Sequence, residues 1–387
     1  MKRLLIILVA LFSISYSSTS QTELDSSKLR ISLLTCTPGA ELYSVFGHNA
    51  LRIVDSSAGT DIVYNFGTFD FNDPDFYTKF VRGKLLYFVS QVAYPDFLFE
   101  YQYFKRGVTE QVLQLPPDEK KKIQSDLFEN VREENRYYKY DFLYDNCSTR
   151  LRDIIFKTFT SKAFDPPPIV ESSTTFRDHL HSYLDRAEMD WTALGIDLLL
   201  GVGADFPMSV SESMFLPDYL FKGVALARTP LGKLEQEQII SVSDAQPTSE
   251  KNPFYASPLF VIGLFSLLLL LPSLLPAKGK GLQVFCDRIL LIVTGMLGIF
   301  LLFMWFGTDH QSFSKNINLV WAFPLNIYIA FRLDDVQNWI KKLLRIWSVL
   351  LVVLIAVSLV YAGIINTALY PLMFLLSYRY WLLSKNN

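Results

Sequence analysis

The chain has 387 residues, 50% of them hydrophobic, and a formal net charge of −2. A balance so close to neutral, with no clustered basic patch, excludes nucleic acid as an expected partner. The apolar residues are unevenly spread: from Phe254 to Asn387 there is no Glu and hydrophobic runs dominate, which marks a membrane-embedded C-terminal part.

Residues 1–20 have the layout of a secretory signal peptide. Lys2 and Arg3 precede an apolar run from Leu4 to Ile14, and Ser18-Thr19-Ser20 supplies the small-residue cleavage site. The run is too short for a stable span. Leu33-Leu34-Thr35-Cys36 imitates a lipoprotein signal box, but charged Asp25, Lys28 and Arg30 precede it, so lipidation at Cys36 is not expected.

Residues 21–160 read as one α+β domain. Strands are expected at Arg30–Thr35, His48–Val54, Asp61–Phe66, Leu85–Val92 and Val108–Leu115, several of them rich in β-branched or aromatic residues. Helices are expected at Pro95–Phe104, Pro117–Glu134 and Cys147–Phe159. Pro116-Pro117 followed by Asp118-Glu119 is a strong helix start, with acids at the positive end of the dipole. Pro166-Pro167-Pro168 marks a break. Residues 161–228 then read as a helical accessory lobe and the polar residues 229–253 as a linker.

Residues 254–387 read as a domain of five transmembrane helices. Clear spans are Leu259–Leu275, Ile289–Phe306 and Ile346–Ile365; weaker ones are Ile317–Phe331, interrupted by Pro324, and Ala368–Leu383, which carries Arg379. Export of the N-terminal part sets the orientation. The loops holding Lys278, Lys280 and Arg288, then Arg332, Lys341, Lys342 and Arg345, and finally Lys385, all fall inside, as the positive-inside rule asks. The expected location is therefore a bacterial inner membrane, multi-pass, with a periplasmic N-terminal domain.

Within "YDFLYDNCSTRLRDIIF", Tyr140 to Phe156, Asn146 reads as an N-cap and Cys147 as the first helical residue. Cys147, Leu151, Ile154/Ile155 and Phe159 then share one face, so the thiol faces the sheet. Free N–H groups and the helix dipole at that end favour a thiolate and offer donors to an oxyanion, with Asn146 and Cys147 as the residues concerned. A structural reading stands beside this: Cys36 and Cys147, both exported, can form a disulfide.

A working thiol needs a base, and the chain has four histidines. His48, in "YSVFGHNALRIV", opens a strand whose alternation sends Leu51 and Ile53 to one face and His48, Ala50 and Arg52 to the other. Asn65, in "VYNFGTF", is the candidate that orients the imidazole, with Tyr64 and Asp70 as fallbacks. The order His, polar residue, Cys is that of a circularly permuted papain-like fold. Arg150 and Arg152 are candidate phosphate contacts, and His310, with Asn316 and Asn318, lies at the outward mouth of the membrane domain. No convincing metal cluster is present, and the chemistry requires no cofactor.

Taken together, "LLTCTPGAELYSVFGHNALRI", "VYNFGTFDF", "YDNCSTRLRD" and "FGTDHQSFSKNINLVWAFPLN" resemble the Lnb-type lipoprotein N-acyltransferase family over most of the mature chain. The resemblance implies a permuted papain-like (NlpC/P60-like) thiol domain, with Cys147 and His48 at its site, followed by five membrane helices. It also implies an acyltransferase that moves an acyl chain from a phospholipid, through a Cys147 thioester, to the N-terminal amine of a diacylglyceryl-cysteine lipoprotein. A membrane-anchored amidase or peptidase acting on cell-wall peptides, and a non-catalytic periplasmic binding module, are the alternatives.

Overall fold

A computed structural model describes residues 28–157, 168–245, 251–274, 280–361 and 363–385. The expected signal peptide and Phe159 lie outside them.

Among the described residues, the exported part is built on one seven-stranded sheet. Its strands are β1 (Leu29–Cys36), β2 (His48–Asp55), β3 (Thr60–Thr68), β4 (Leu86–Ala93), β5 (Val108–Leu113), β6 (Tyr137–Lys139) and, beyond two short strands, β9 (Glu235–Val242). The order is β6-β4-β3-β2-β1-β5-β9 and every neighbouring pair is antiparallel. Five strands coincide with the sequence reading to within two residues at each end. β6 is only three residues long, too short to leave a periodic pattern. β9 replaces part of the expected linker: its mixed sequence EQEQIISV is that of a partly exposed edge strand, with polar residues tolerated because one side meets water. Between β5 and β9, β7 (Arg228–Thr229) and β8 (Gly232–Lys233) form a small ribbon.

The helices of this part are α1 (Phe76–Val81), α2 (Tyr94–Tyr103), α3 (Pro117–Asn130) and α4 (Cys147–Lys157). Period-two alternation gives the sheet two apolar faces. On one face Leu29, Ile31, Leu33, Leu51, Ile53 and Phe66 meet Ile123 and Leu127 of α3 and Leu151 and Ile155 of α4. On the other, Leu34, Cys36, Ala50 and Val63 meet Phe97 and Tyr101 of α2. Each fully buried Leu or Ile contributes about 1.5–3 kcal/mol relative to exposure, so these two layers supply the main drive for the domain. Arg52, on the α2 face, is buried and fully engaged: Nη1 donates to Glu110 at 2.8 Å, Nη2 to Asp61 at 2.6 Å, and the guanidinium lies 3.3 Å from the Tyr94 ring centre.

The next helices are α5 (Phe176–Arg186), α6 (Asp190–Leu199), α7 (Val210–Ser213) and α8 (Pro217–Leu226). α5 opens on a capping box between Thr175 and Asp178. This region packs against the sheet domain. Phe176, Leu180 and Leu184 share a core with Val45, Phe46 and Leu143, while Leu220 and Val224 of α8 join the main core of the sheet.

The membrane part contains α9 (Pro258–Leu270), α10 (Lys280–Phe306), α11 (Asn326–Ala330), α12 (Asn338–Val360) and α13 (Tyr370–Leu383). Two of these, α10 with 27 residues and α12 with 23, are long and apolar enough to cross a bilayer. The expected span Ile317–Phe331 is instead a 3₁₀ turn (Ile317–Val320) and the short α11. Pro324 removes a backbone donor between them, and the irregular backbone is tolerated because protein surrounds it. Trp321 and Ala322 are buried, Trp347 Nε1 donates to the Val320 carbonyl at 2.9 Å, and Asn326 Nδ2 donates to Thr294 Oγ1 at 2.9 Å. Arg379 does not snorkel: it is 2% exposed and forms two 2.6 Å bonds to the Asp287 carboxylate.

The two parts are stitched together by side-chain amides. Asn316 donates to the carbonyls of Leu198 and Leu199 at 2.7 and 3.0 Å, Asn318 to that of Asp197 at 3.0 Å, and Asn366 to the Asp197 carboxylate at 2.7 Å. At Gly201 the backbone N–H donates to Ser312 O at 2.8 Å, and a Cβ there would collide with the Ser314 carbonyl.

Candidate active site

α4 begins where its sequence says it should. The Asn146 side-chain oxygen accepts from the Thr149 N–H at 2.9 Å and Thr149 Oγ1 accepts from the Asn146 N–H at 2.8 Å, closing the first turn reciprocally. Cys147 is therefore the first helical residue, half-buried, with Leu151 and Ile155 below it in the core. Its own N–H belongs to the helix-end groups that lack an intrahelical acceptor. Asn146 stands at the expected cap position, and its own N–H is taken by Thr149 Oγ1. Its amide donates to the carbonyls of Phe142 and Phe215 at 2.8 and 3.0 Å, and the residue is 3% exposed.

His48 is the first residue of β2, at the end of the sheet. Its imidazole lies beside the Cys147 thiol on one side, and its Nε2 lies 3.3 Å from Asn65 Oδ1 on the other. An amide oxygen only accepts, so Nε2 is the donor of this contact and Nδ1 is the nitrogen left for the thiol. Asn65 is held where β3 loses its ladder with β4: the register shifts between Asn65 and Thr68, and Gly67 adopts φ +89°. A Cβ at Gly67 would lie 3.6 Å from the Tyr140 ring and 3.8 Å from Cys147 Cβ, so glycine also keeps space open beside the thiol.

Burial alone would push the Cys147 thiol up. The charge of His48, its hydrogen bond, the backbone N–H of Asn49 and the Ser148 hydroxyl outweigh that and hold the thiol below its ordinary value of 9.0. Ser148 Oγ is fixed by donating to Asn49 Oδ1 at 2.8 Å, and Asn49 Nδ2 donates to Thr35 Oγ1 at 2.8 Å. Asn49, Ser148, Gly67 and Tyr140 were not singled out from the sequence. The only hint was their position beside His48, Cys147 or Asn65 in the quoted motifs.

The remaining candidates go elsewhere. All three cysteines are free, and no Cys36–Cys147 disulfide is present. Tyr64 is 2% exposed and packs in the main core, and the exposed Asp70 caps its own turn through the Asn72 N–H at 2.8 Å. Arg150 is clamped to Asp145 by bonds of 2.6 and 2.8 Å and lies 3.5 Å from the Tyr138 ring centre. Arg152 binds Asp153 at 2.9 Å and the Ser211 carbonyl at 2.9 Å. Each arginine already has a carboxylate partner, with which a phosphate would have to compete. His310 meets the exported part, but at Phe80, whose carbonyl lies 3.0 Å from Nε2. His179 stacks on Tyr219 and His181 binds Asp197, so each has its own partner away from the thiol.

Comparison with known proteins agrees with this division of the chain. The description "Lnb N-terminal periplasmic domain" matches residues 16–180 and "Lnb transmembrane domain" matches residues 249–386. Neither the curated proteins nor the solved structures give a match. With a periplasmic domain and a membrane domain of one family matched in order over most of its length, the chain belongs to the Lnb family.

Proposed function

We propose that this membrane protein is a lipoprotein N-acyltransferase in which Cys147 is the nucleophile, His48 the general base and acid, and Asn65 the residue that orients His48. The observation that carries the reading is His48 lying between a helix-opening thiol and an acceptor-only amide oxygen. The chain order of those three residues fits a circularly permuted papain-like domain.

In the first step His48 takes the Cys147 proton, and the thiolate attacks the carbonyl carbon of a phospholipid acyl ester. The tetrahedral oxyanion is stabilised by N–H groups at the start of α4, Cys147's own among them. As the C–O bond breaks, the imidazolium returns its proton to the departing lysophospholipid oxygen, leaving a Cys147 thioester. In the second step the N-terminal amine of a diacylated lipoprotein attacks that thioester. His48 accepts the amine proton and reprotonates the sulfur as the amide forms, which restores the free thiol. Both substrates are anchored in lipid, so a thiol domain fixed to membrane helices lowers the entropic cost of bringing them together.

Cys147→Ser should abolish N-acylation, read by mass spectrometry of lipoprotein N-termini, with the protein present in the membrane at its usual level. Normally triacylated lipoproteins made by that variant alone would defeat the assignment.

A further inference from the structure

One surface of the exported part is aromatic and open to solvent. Tyr77 is 79% exposed, Phe71 64%, Phe80 50%, Leu86 50% and Val81 42%, all between the end of β3 and the start of β4. The rings pack on one another. Phe69 and Phe71 have ring centres 4.7 Å apart, Phe71 and Phe76 5.0 Å, and Phe76 stacks on Phe80 at 6.2 Å. An exposed apolar patch implies something that covers it.

The same segment is bound to the loop that leaves the membrane. Asp309 N–H donates to the Arg82 carbonyl at 2.9 Å, His310 Nε2 lies 3.0 Å from the Phe80 carbonyl, and Lys139 Nζ donates to Asp309 at 2.7 Å. α10 ends at Phe306. Three residues of chain span at most about 10 Å, comparable to the polar layer outside the hydrocarbon core. α1 and its flanks are therefore held at the outer membrane–water boundary. Exposed Arg82 and Lys84 lie beside the rings, and Asp70, Asp73 and Asp75 balance them and Lys79, so the aromatic side chains rather than net charge suit this segment to a lipid–water boundary.

Rings also run inward from this patch. Phe69 lies 5.2 Å from Tyr87, Tyr87 stacks on Tyr140 at 4.4 Å, and Tyr140 and Cys147 flank the space that Gly67 leaves open. We propose that Phe71, Tyr77, Phe80, Val81 and Leu86 dip into the outer leaflet of the bilayer, and that the Phe69–Tyr87–Tyr140 row leads an acyl chain from there to Cys147. The second half rests on the acyl-transfer reading above; the first does not.

Two measurements on the full chain in phosphatidylglycerol-containing vesicles test this. A nitrobenzoxadiazole label is placed at Tyr77→Cys, with Cys36, Cys147 and Cys286 replaced by Ala. Its emission should shift to the blue and be quenched by nitroxide-bearing phospholipids, whereas the same label at Lys122→Cys should do neither. A water-like, unquenched signal at position 77 overturns membrane insertion whatever the enzyme catalyses. In the native-cysteine chain, the triple change Phe71→Ser, Tyr77→Ser and Phe80→Ser should slow thioester formation from vesicle phospholipid at least tenfold, with iodoacetamide alkylation of Cys147 unchanged. An undiminished thioester rate overturns delivery along the rings. If the unaltered chain forms no thioester from any lipid, the acyltransferase reading fails and the labelled position still decides insertion.

Discussion

Two cysteines of the exported part, one in strand β1 and one opening helix α4, sit in opposite environments. Cys36 lies in the paired, fully covered part of β1, directly across from His48 in the β1–β2 register. It is 0% exposed among Leu34, Ala50, Phe97 and Tyr101, and burial pushes its thiol up to about 12. Cys147 stands at the end of the sheet, on the first turn of a helix, and the imidazole and N–H groups around it hold its thiol below 9.0. Burial opposes ionisation at both sites. What separates them is the balance: at Cys36 the Tyr101 hydroxyl and the Arg106 charge do not offset burial, whereas at Cys147 His48 and the surrounding donors do.

The comparison breaks most sharply at the base. His48→Ala should reduce thioester formation by about 10²–10⁴-fold, the range for loss of a positioned proton-transfer group. A rate within twofold of the unaltered protein would remove His48 from the mechanism. Asn65→Ala should cost less, because the imidazole stays in place and loses only its orienting acceptor. A hydrogen bond to a charged group contributes about 1.5–3 kcal/mol, which corresponds to about 10- to 100-fold in rate. A full return of activity in Asn65→Asp, with Asn65→Ala impaired, would support orientation through the acceptor oxygen.

Alkylation by iodoacetamide sharpens the contrast between the thiols. In the folded protein Cys147 should react with a midpoint below pH 9 and Cys36 should not react. Because burial and His48 act in opposite directions on Cys147, removing His48 should move the midpoint up. The sign for stability follows: the unfolded thiol holds its proton to higher pH than the folded one, so the contribution is present above about pH 9 and is lost as pH falls through the folded-state pKa. The smallest expected change is at Cys36→Ala, with about 1 kcal/mol of stability lost and acyl transfer retained; complete loss of transfer in a folded Cys36→Ala protein would give that sulfur a role that its burial does not predict.

Much of the exported part was readable because its elements are strongly periodic. β1, β2 and β3 alternate, α3 begins on Pro117 with two acids, and α4 begins with Asn146 as a cap; each pattern depends only on near neighbours. The misses have local causes too. β9 is mostly polar at its start because it lies at an edge, and the segment around Pro324 is apolar like a span but cannot continue as one helix. At the site, alternation put His48 on a face and periodicity put Cys147 on another element. Neither indicates that they touch. Nor does the sequence indicate that Arg150 pairs with Asp145, or that Arg152 meets the Ser211 carbonyl.

The sequence alone therefore determined the exported α+β part, the apolar C-terminal part, and a thiol at the start of a helix, since all three follow from spacing within a few residues. Only the tertiary structure decided which histidine meets that thiol, that Asn65 holds the far nitrogen, and that Cys36 remains apart. Those outcomes depend on strand register, on the break in β3 at Gly67 and on the docking of α4 against the sheet. These are long-range packing choices, made by burying surface between segments distant in the chain, and no local pattern records them.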